Sequence, residues 1–297
     1  MGWPSLPGEQ RLARGDLLVR ADPTPPDGLV GLEVVARGEV VATVSVRPVR
    51  RATALLTWQF EVAHQGGGVP HRALRLAVDH CFAQLGLHRV EALVPVGDTA
   101  QLRIASRAGL RREGIARGAG GPRTDLIRVA RLADDPMPDT RDGFIGVLNA
   151  NLPTKRVISQ AVLRDEQGRV LLCELTYKRE WDLPGGVVDP WESPATAVRR
   201  ELREELGLDL PVRGLLVVNW MPPWRGWDDA CQFVFDLGRH EQSLVAAMTF
   251  EATEITAVHW CTREEARAHV PDYLDVLLGR LETVGEAPLY LEAGQSR

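Results

Sequence analysis

The stretch from Gly186 to Leu208, GVVDPWESPATAVRRELREELGL, restricts this chain more than any other part of it. Ser193 suits a helix N-cap, and Pro194 suits the first helical position, where a missing N–H costs nothing. Gly207 can take the left-handed conformation that ends a helix. Ala197, Val198, Leu202 and Leu206 form one apolar face, so the spacing predicts a helix over 194–206 packed on a sheet. Glu201, Glu204 and Glu205 stand at i, i+3 and i+4 and project from one face. Like charges at that spacing weaken an isolated helix by a few tenths of a kcal/mol each. Three hard oxygen ligands, with water in the remaining positions, suit Mg2+ or Mn2+. A solvated acidic face is the competing reading of the same residues.

Elsewhere the chain alternates strand and helix signals. Residues 29–47 predict two strands about an Arg37-Gly38 turn, and 54–63 a third. The turn from His64 to Pro70, HQGGGVP, leads into a helix over 71–87. A strand at 89–95, a short helix at 99–108 and a strand at 125–132 follow. Residues 136–152 open with a Pro- and Asp-rich run and are read as a linker between domains 1–135 and 153–297. The second domain predicts strands at 157–165, 170–177, 215–221, 231–237 and 255–260, with helices at 263–270 and 273–284. No internal repeat interrupts this order.

The chain has 297 residues and a net charge of −5, which argues against duplex nucleic acid or an anionic membrane as the main partner. The four cysteines form no CxxC pair and read as reduced thiols. The first residues, MGWPSLPGEQ, do not read as a signal peptide, and no apolar run reaches the length of a membrane span. These features together predict a cytoplasmic protein.

Gly186, Glu192, Arg200, Glu201, Leu202, Glu204, Glu205, Gly207 and Leu208 match the Nudix box at every position. At about 7% abundance per fixed residue, a chance match arises roughly once in a billion start positions. Residues 153–297 are therefore identified as resembling the Nudix hydrolases. The resemblance implies an α/β/α sandwich on a mixed sheet and hydrolysis of a nucleoside diphosphate linked to another group. It also implies cations held by Glu201, Glu204 and Glu205, with the Gly186 carbonyl as a further ligand. Arg200 would hold the glutamates in place, and Glu192 would hold the loop. The general base stays open among Glu204, Glu205 and the loop residues Glu251 and Glu254. For the small-molecule nucleotide substrate, Trp220, Trp224 and Trp227 offer stacking faces and Arg225 a phosphate contact. Loop packing around two prolines is the alternative for that segment. A homodimer is the assembly the resemblance suggests.

Residues 28–133 resemble the GNAT N-acetyltransferases of the ribosomal-protein type, on LGLHRVEALVPVGDTAQLRIASRAGLRREGIARG and on RTDLIRVARL. The resemblance implies a mixed sheet with helices and acetyl-CoA bound with its pyrophosphate over Gln65, Gly66, Gly67, Gly68 and Val69. Four departures bear on catalysis. Pro70 has no N–H to offer, and Asp98 and Gln101 stand where the family has Asn-x-x-Ser. Few residues precede the first expected strand, and no tyrosine occurs before Tyr177. A working acetyltransferase and a regulatory or structural domain both remain open, as does a nucleotide sensor in the second half. The whole chain is expected to be α/β (α+β) with two domains.

Overall fold

The computed structural model describes residues 12–14, 16–25, 29–64, 68–224, 226–283 and 288–296. The chain divides into two compact units, Met1–Pro153 and Thr154–Arg297, each with its own sheet.

The first unit holds strands β1 (Leu12–Arg14), β2 (Leu17–Ala21), β3 (Val30–Ala36), β4 (Glu39–Arg50) and β5 (Thr53–Phe60) before helix α1 (Val69–Ala83). After it come β6 (Arg89–Pro95), α2 (Thr99–Arg107), β7 (Arg111–Ala116), β8 (Leu126–Leu132) and α3 (Arg141–Asn151). The sheet order is β1-β2-β3-β4-β5-β6-β8-β7. All pairs are antiparallel except β5 with β6, which pair only from Thr53↔Arg89 to Leu55↔Glu91. Beyond that point the two strands pair no further. The core draws on Val34, Val44 and Leu56 from the strands and on Leu74, Ala77 and Cys81 from α1.

Two expectations need correction here. Strands β1 and β2 precede residue 29, because Leu17 and Val19 are buried against the sheet while Arg20 faces out to pair with Glu33 at 2.7 Å. The segment expected to be a linker is instead a folded part of the first unit. Its aspartates are ion-pair partners: Asp135 meets Arg111 at 3.1 Å and Asp139 meets Arg75 at 2.7 Å. Thr140 caps α3 by accepting from the Gly143 N–H at 3.2 Å, and Asn151 donates to the Leu110 carbonyl at 3.2 Å. A Cβ on Gly143 would lie 2.0 Å from the Met137 carbonyl oxygen, so the close turn into α3 requires glycine there.

The second unit runs β9 (Arg156–Asp165), β10 (Val170–Leu175), β11 (Gly185–Val187) and α4 (Pro194–Leu206), then β12 (Gly214–Met221), β13 (Ala230–His240) and β14 (Ile255–Cys261). It closes with α5 (Arg263–Arg267), α6 (Asp272–Thr283), β15 (Leu289–Glu292) and β16 (Gln295–Ser296). The order is β14-β10-β9-β13-β12-β15-β16, with β11 on β9. The pairs β9–β13 and β12–β15 are parallel, so the sheet is mixed. Alternation along β9 builds two cores. Ala161 and Leu163 pack with Val198, Leu202 and Leu206 of α4, whereas Val162 packs with Leu274 and Leu277 of α6. The sheet therefore lies between helices on both faces, an α/β/α arrangement. Among the described residues, no helix is long and apolar enough to cross a membrane.

Candidate functional site

Helix α4 starts and stops where the sequence predicts. Ser193 accepts from the Thr196 N–H at 3.2 Å, and Gly207 ends the helix at φ 69°. The strand β11 passes beside it. Gly185, at φ 128°, lies so close to β9 that a Cβ would stand 2.2 Å from the Ser159 carbonyl oxygen. Gly186 gives way in the other direction: a Cβ there would meet the Glu201 carboxylate at 2.7 Å. The two glycines let the acidic face of α4 approach the strand.

Glu205 is 6% exposed. Its Oε2 accepts the Gly185 N–H at 2.9 Å. Burial pushes its carboxyl up to about 8, and the negative charges of Glu201, Glu254 and Asp182 push the same way. Burial likewise raises Glu201, although Arg200 opposes the shift. Glu204 lies outward, 58% exposed. Arg200 ties these parts together. Its Nη1 donates to Glu201 and to Glu204 at 2.9 Å, its Nη2 to Glu192 at 3.0 Å, and the same nitrogen to the Val187 carbonyl at 3.1 Å. The Arg200 bonds hold Glu192 below the usual carboxylate range, and Glu192 also accepts from the Asp189 N–H.

Among the described residues, no group of three or more His, Cys, Asp or Glu side chains closes around a single point as a finished metal cage. The donor chemistry nevertheless fits a hard divalent cation. Glu205, Glu201 and Glu254 bring carboxylates near one another, and the most buried of them, Glu205, accepts from the Gly185 N–H. A carboxylate as buried as Glu205, with further negative charges beside it, needs a proton or a cation to offset it.

Met221, Pro222, Trp224, Val270, Tyr273 and Ala293, with the carboxylates Glu180 and Asp272, line a cavity of about 430 Å³. That volume suits a small organic ligand.

The family models match the chain in two places. The NUDIX domain model covers residues 154–277, and the GNAT acetyltransferase domain model covers residues 6–111. The chain joins a GNAT domain to a NUDIX domain. A probable N-acetyltransferase, YjcK of Bacillus subtilis, is 36% identical over 90 residues, which span 29% of this chain and 50% of that protein. The nucleoside triphosphatase NudI of Escherichia coli is 34% identical over 94 residues, 30% of this chain and 62% of that protein. The chain thus spans between half and two thirds of the length of these curated relatives. The crystal structure of a MutT protein from Methanosarcina mazei superposes over 44% of this chain and 96% of that one, with 24% identity and a TM-score of 0.39.

Within the NUDIX domain, the structure gives the four residues read for substrate binding separate environments. Trp224 lines the apolar cavity, and its backbone pairs with Trp227 across a tight turn at 2.9 and 3.0 Å. Trp227 lies under the Arg156 guanidinium, 4.8 Å from its ring centre. Trp220 bonds to Asp229. Arg225 lies outside the described residues. The two loop glutamates also separate. Glu251 spends its carboxylate on the Thr253 hydroxyl at 2.9 Å, whereas the Glu254 charge acts on both Glu201 and Glu205.

Sequence reasoning missed Asp182, Gln160 and Tyr273. Asp182 is buried and accepts from Gln160 Nε2 and from its neighbour's Leu183 N–H, both at 2.9 Å, and from Lys178. Gln160 continues inward to Gln232 and thence to Asn219. The Trp181 ring, stacked between His259 at 4.1 Å and His269 at 3.8 Å, fixes the loop that carries Asp182. The signal available for Asp182 was its place just before the Pro184-Gly185-Gly186 run. No local signal ties Tyr273 to Trp224.

In the GNAT domain, Gln65, Gly66 and Gly67 lie outside the described residues. Gly68, at φ 75°, is the N-cap of α1, and Val69 opens that helix. Asp98 caps α2 by accepting from the Gln101 N–H at 3.0 Å. The Gln101 side chain in turn accepts from Trp58 Nε1 at 2.6 Å, joining β5 to α2 beyond the last β5–β6 pair.

Proposed function

We propose that the NUDIX domain hydrolyses a diphosphate bond in a nucleotide-type small molecule, with Mg2+ or Mn2+. The observation that carries this reading is the buried Glu205, held by the Gly185 N–H and crowded by Glu201, Glu254 and Asp182. Glu201, Glu204 and Glu205 would hold the cation, with the Gly186 carbonyl as a further oxygen. The chemistry a divalent cation supplies when bound is neutralisation of phosphate charge and a more acidic bound water.

The chain's own residues account for the rest. Arg200 holds Glu201 and Glu204 apart in fixed directions through charge-assisted bonds. Glu254, exposed and beside the acidic pair, accepts the proton of the attacking water. Trp224 and Tyr273 give a base or other ring an apolar seat while the phosphates face α4. A nucleoside triphosphate, the substrate class in the name of the NudI relative, heads the candidates.

The test is phosphate and nucleotide release by the purified protein with Mg2+ on nucleoside triphosphates, ADP-ribose, NADH, nucleotide sugars and CoA. Turnover of one class that requires metal and collapses in Glu205→Gln and Glu254→Gln supports the reading. Turnover that survives Glu205→Gln overturns it.

We also propose that the GNAT domain binds acetyl-CoA. The parting of β5 from β6 after Leu55 and the α1 N-terminus at Gly68 and Val69 favour it. Binding of acetyl-CoA by the full chain, lost in a Val69→Glu variant, is the expected result. No binding at millimolar ligand would leave this domain a structural or regulatory role.

A further inference from the structure

At the other end of β9 the NUDIX domain carries a second concave site, which neither the acidic helix nor Trp224 touches. Ser159 pairs with Gly186, and Arg164 lies five residues further along the strand, about 16 Å away. There a cavity of about 530 Å³ opens between the ends of β9, β13 and β14 and helix α6. Its floor is apolar, built from Val170, Cys261, Ala266, Leu278 and Leu281. Its rim carries Arg164, Arg213, Arg239 and Arg263 against two carboxylates, Asp236 and Glu282.

The arginines are crowded in a way that internal pairing does not relieve. Arg164 and Arg239 are direct register partners on the parallel strands β9 and β13. Like charges in that relation repel. Arg164 lies 3.7 Å from Asp236; burial and the charge of Arg239 work against its ionised form, more than the charges of Asp236 and Glu282 offset. Arg263 is held by Asp275 at 2.8 Å and lies 3.8 Å from Glu282. Among the described residues, Arg213 and Arg239 have no carboxylate within ion-pair distance; Arg239 donates only to the Asp165 carbonyl, at 3.3 Å. Two glycines make room for guanidinium groups. A Cβ on Gly238 would lie 2.3 Å from Arg213 Cζ, and one on Gly279 would lie 2.1 Å from Arg263 Nη1.

We propose that this cavity is a binding site for a phosphate-bearing small anion, held by Arg164, Arg213 and Arg239 at the end of β9 away from the acidic helix. The planar guanidinium forks match phosphate oxygens, and the volume admits a diphosphate with an attached group. The proposal goes beyond the hydrolase reading and does not rest on it.

The experiment titrates the full chain with inorganic pyrophosphate by calorimetry in excess EDTA, which removes metal-dependent binding at the acidic helix. Saturable binding is expected. It should weaken by about tenfold or more in Arg213→Ala and in Arg239→Ala, and keep its affinity in Glu205→Gln. Added salt should weaken it further. Arg213 is exposed, so Arg213→Glu serves as a second variant that leaves packing intact and should abolish binding. No saturable binding at millimolar pyrophosphate, or binding indifferent to Arg213→Glu, overturns the proposal.

Discussion

Glu205 Oε2 accepts the Gly185 N–H at 2.9 Å, a bond that joins the most buried carboxylate of α4 to the strand beside it. With burial pushing this carboxyl up to about 8, the folded state keeps a proton that the unfolded chain releases near 4.5. The metal-free fold should therefore lose stability as pH rises from 4.5 to 8, with the loss complete above that range. A divalent cation binds only the ionised form, so its stabilising effect grows across the same window. The increase in Tm on adding Mg2+ should be larger above pH 8 than near pH 6. In Glu205→Gln the increase should be small and flat with pH. Equal increments in both proteins would remove Glu205 from the metal set.

The adjacent glycines separate folding from function. Gly185→Ala drives a Cβ into the Ser159 backbone at an unfavourable φ and should cost more than about 2 kcal/mol. Gly186→Ala meets the Glu201 carboxylate first, the end of a flexible side chain. It should cost under about 1 kcal/mol yet lower activity about 10- to 100-fold, because Glu201 must turn aside. Urea denaturation set beside initial rates checks both.

Arg200 hydrogen-bonds to three carboxylates and one carbonyl. Lysine cannot reproduce that fork. Arg200→Lys and Arg200→Ala should both lower activity by about 10- to 100-fold, with little difference between them and with folding intact. Full activity in the lysine variant would show that charge alone is needed.

Residues 134–152 belong to the first unit. Pro138 packs where Gly109 has no side chain, Val147 is buried, and Arg131 donates to the Met137 sulfur at 3.3 Å. A fragment ending at residue 133 should be less stable to urea than one ending at 153 by at least about 2 kcal/mol. Equal midpoints would return the segment to the role of a tether.

Local chemistry accounts for what was legible beforehand. Ser193, Pro194 and Gly207 set the limits of α4 through caps that depend on near neighbours alone, and the spacing of Glu201, Glu204 and Glu205 put them on one face. The apolar run at 157–165 marked a strand, but its burial on both faces came from the structure. Pro and Asp in 136–152 suggested a linker because composition does not reveal that Arg75 and Arg111 wait for those aspartates. Strand β2 gives no comparable signal for a similar reason, since Leu17 and Val19 are short signals whose burial comes from the sheet they join.

The sequence by itself determined the acidic helix, its glycines and the two-domain order, since each rests on spacing within a few residues. Only the tertiary structure decided that the charge of Glu254 rather than that of Glu251 acts on Glu205, that Tyr273 and Trp224 line one cavity, and that Arg164 lies beside Arg239. Those relations depend on strand register and on burial contributed by distant segments, and neither is written in any local stretch of the chain.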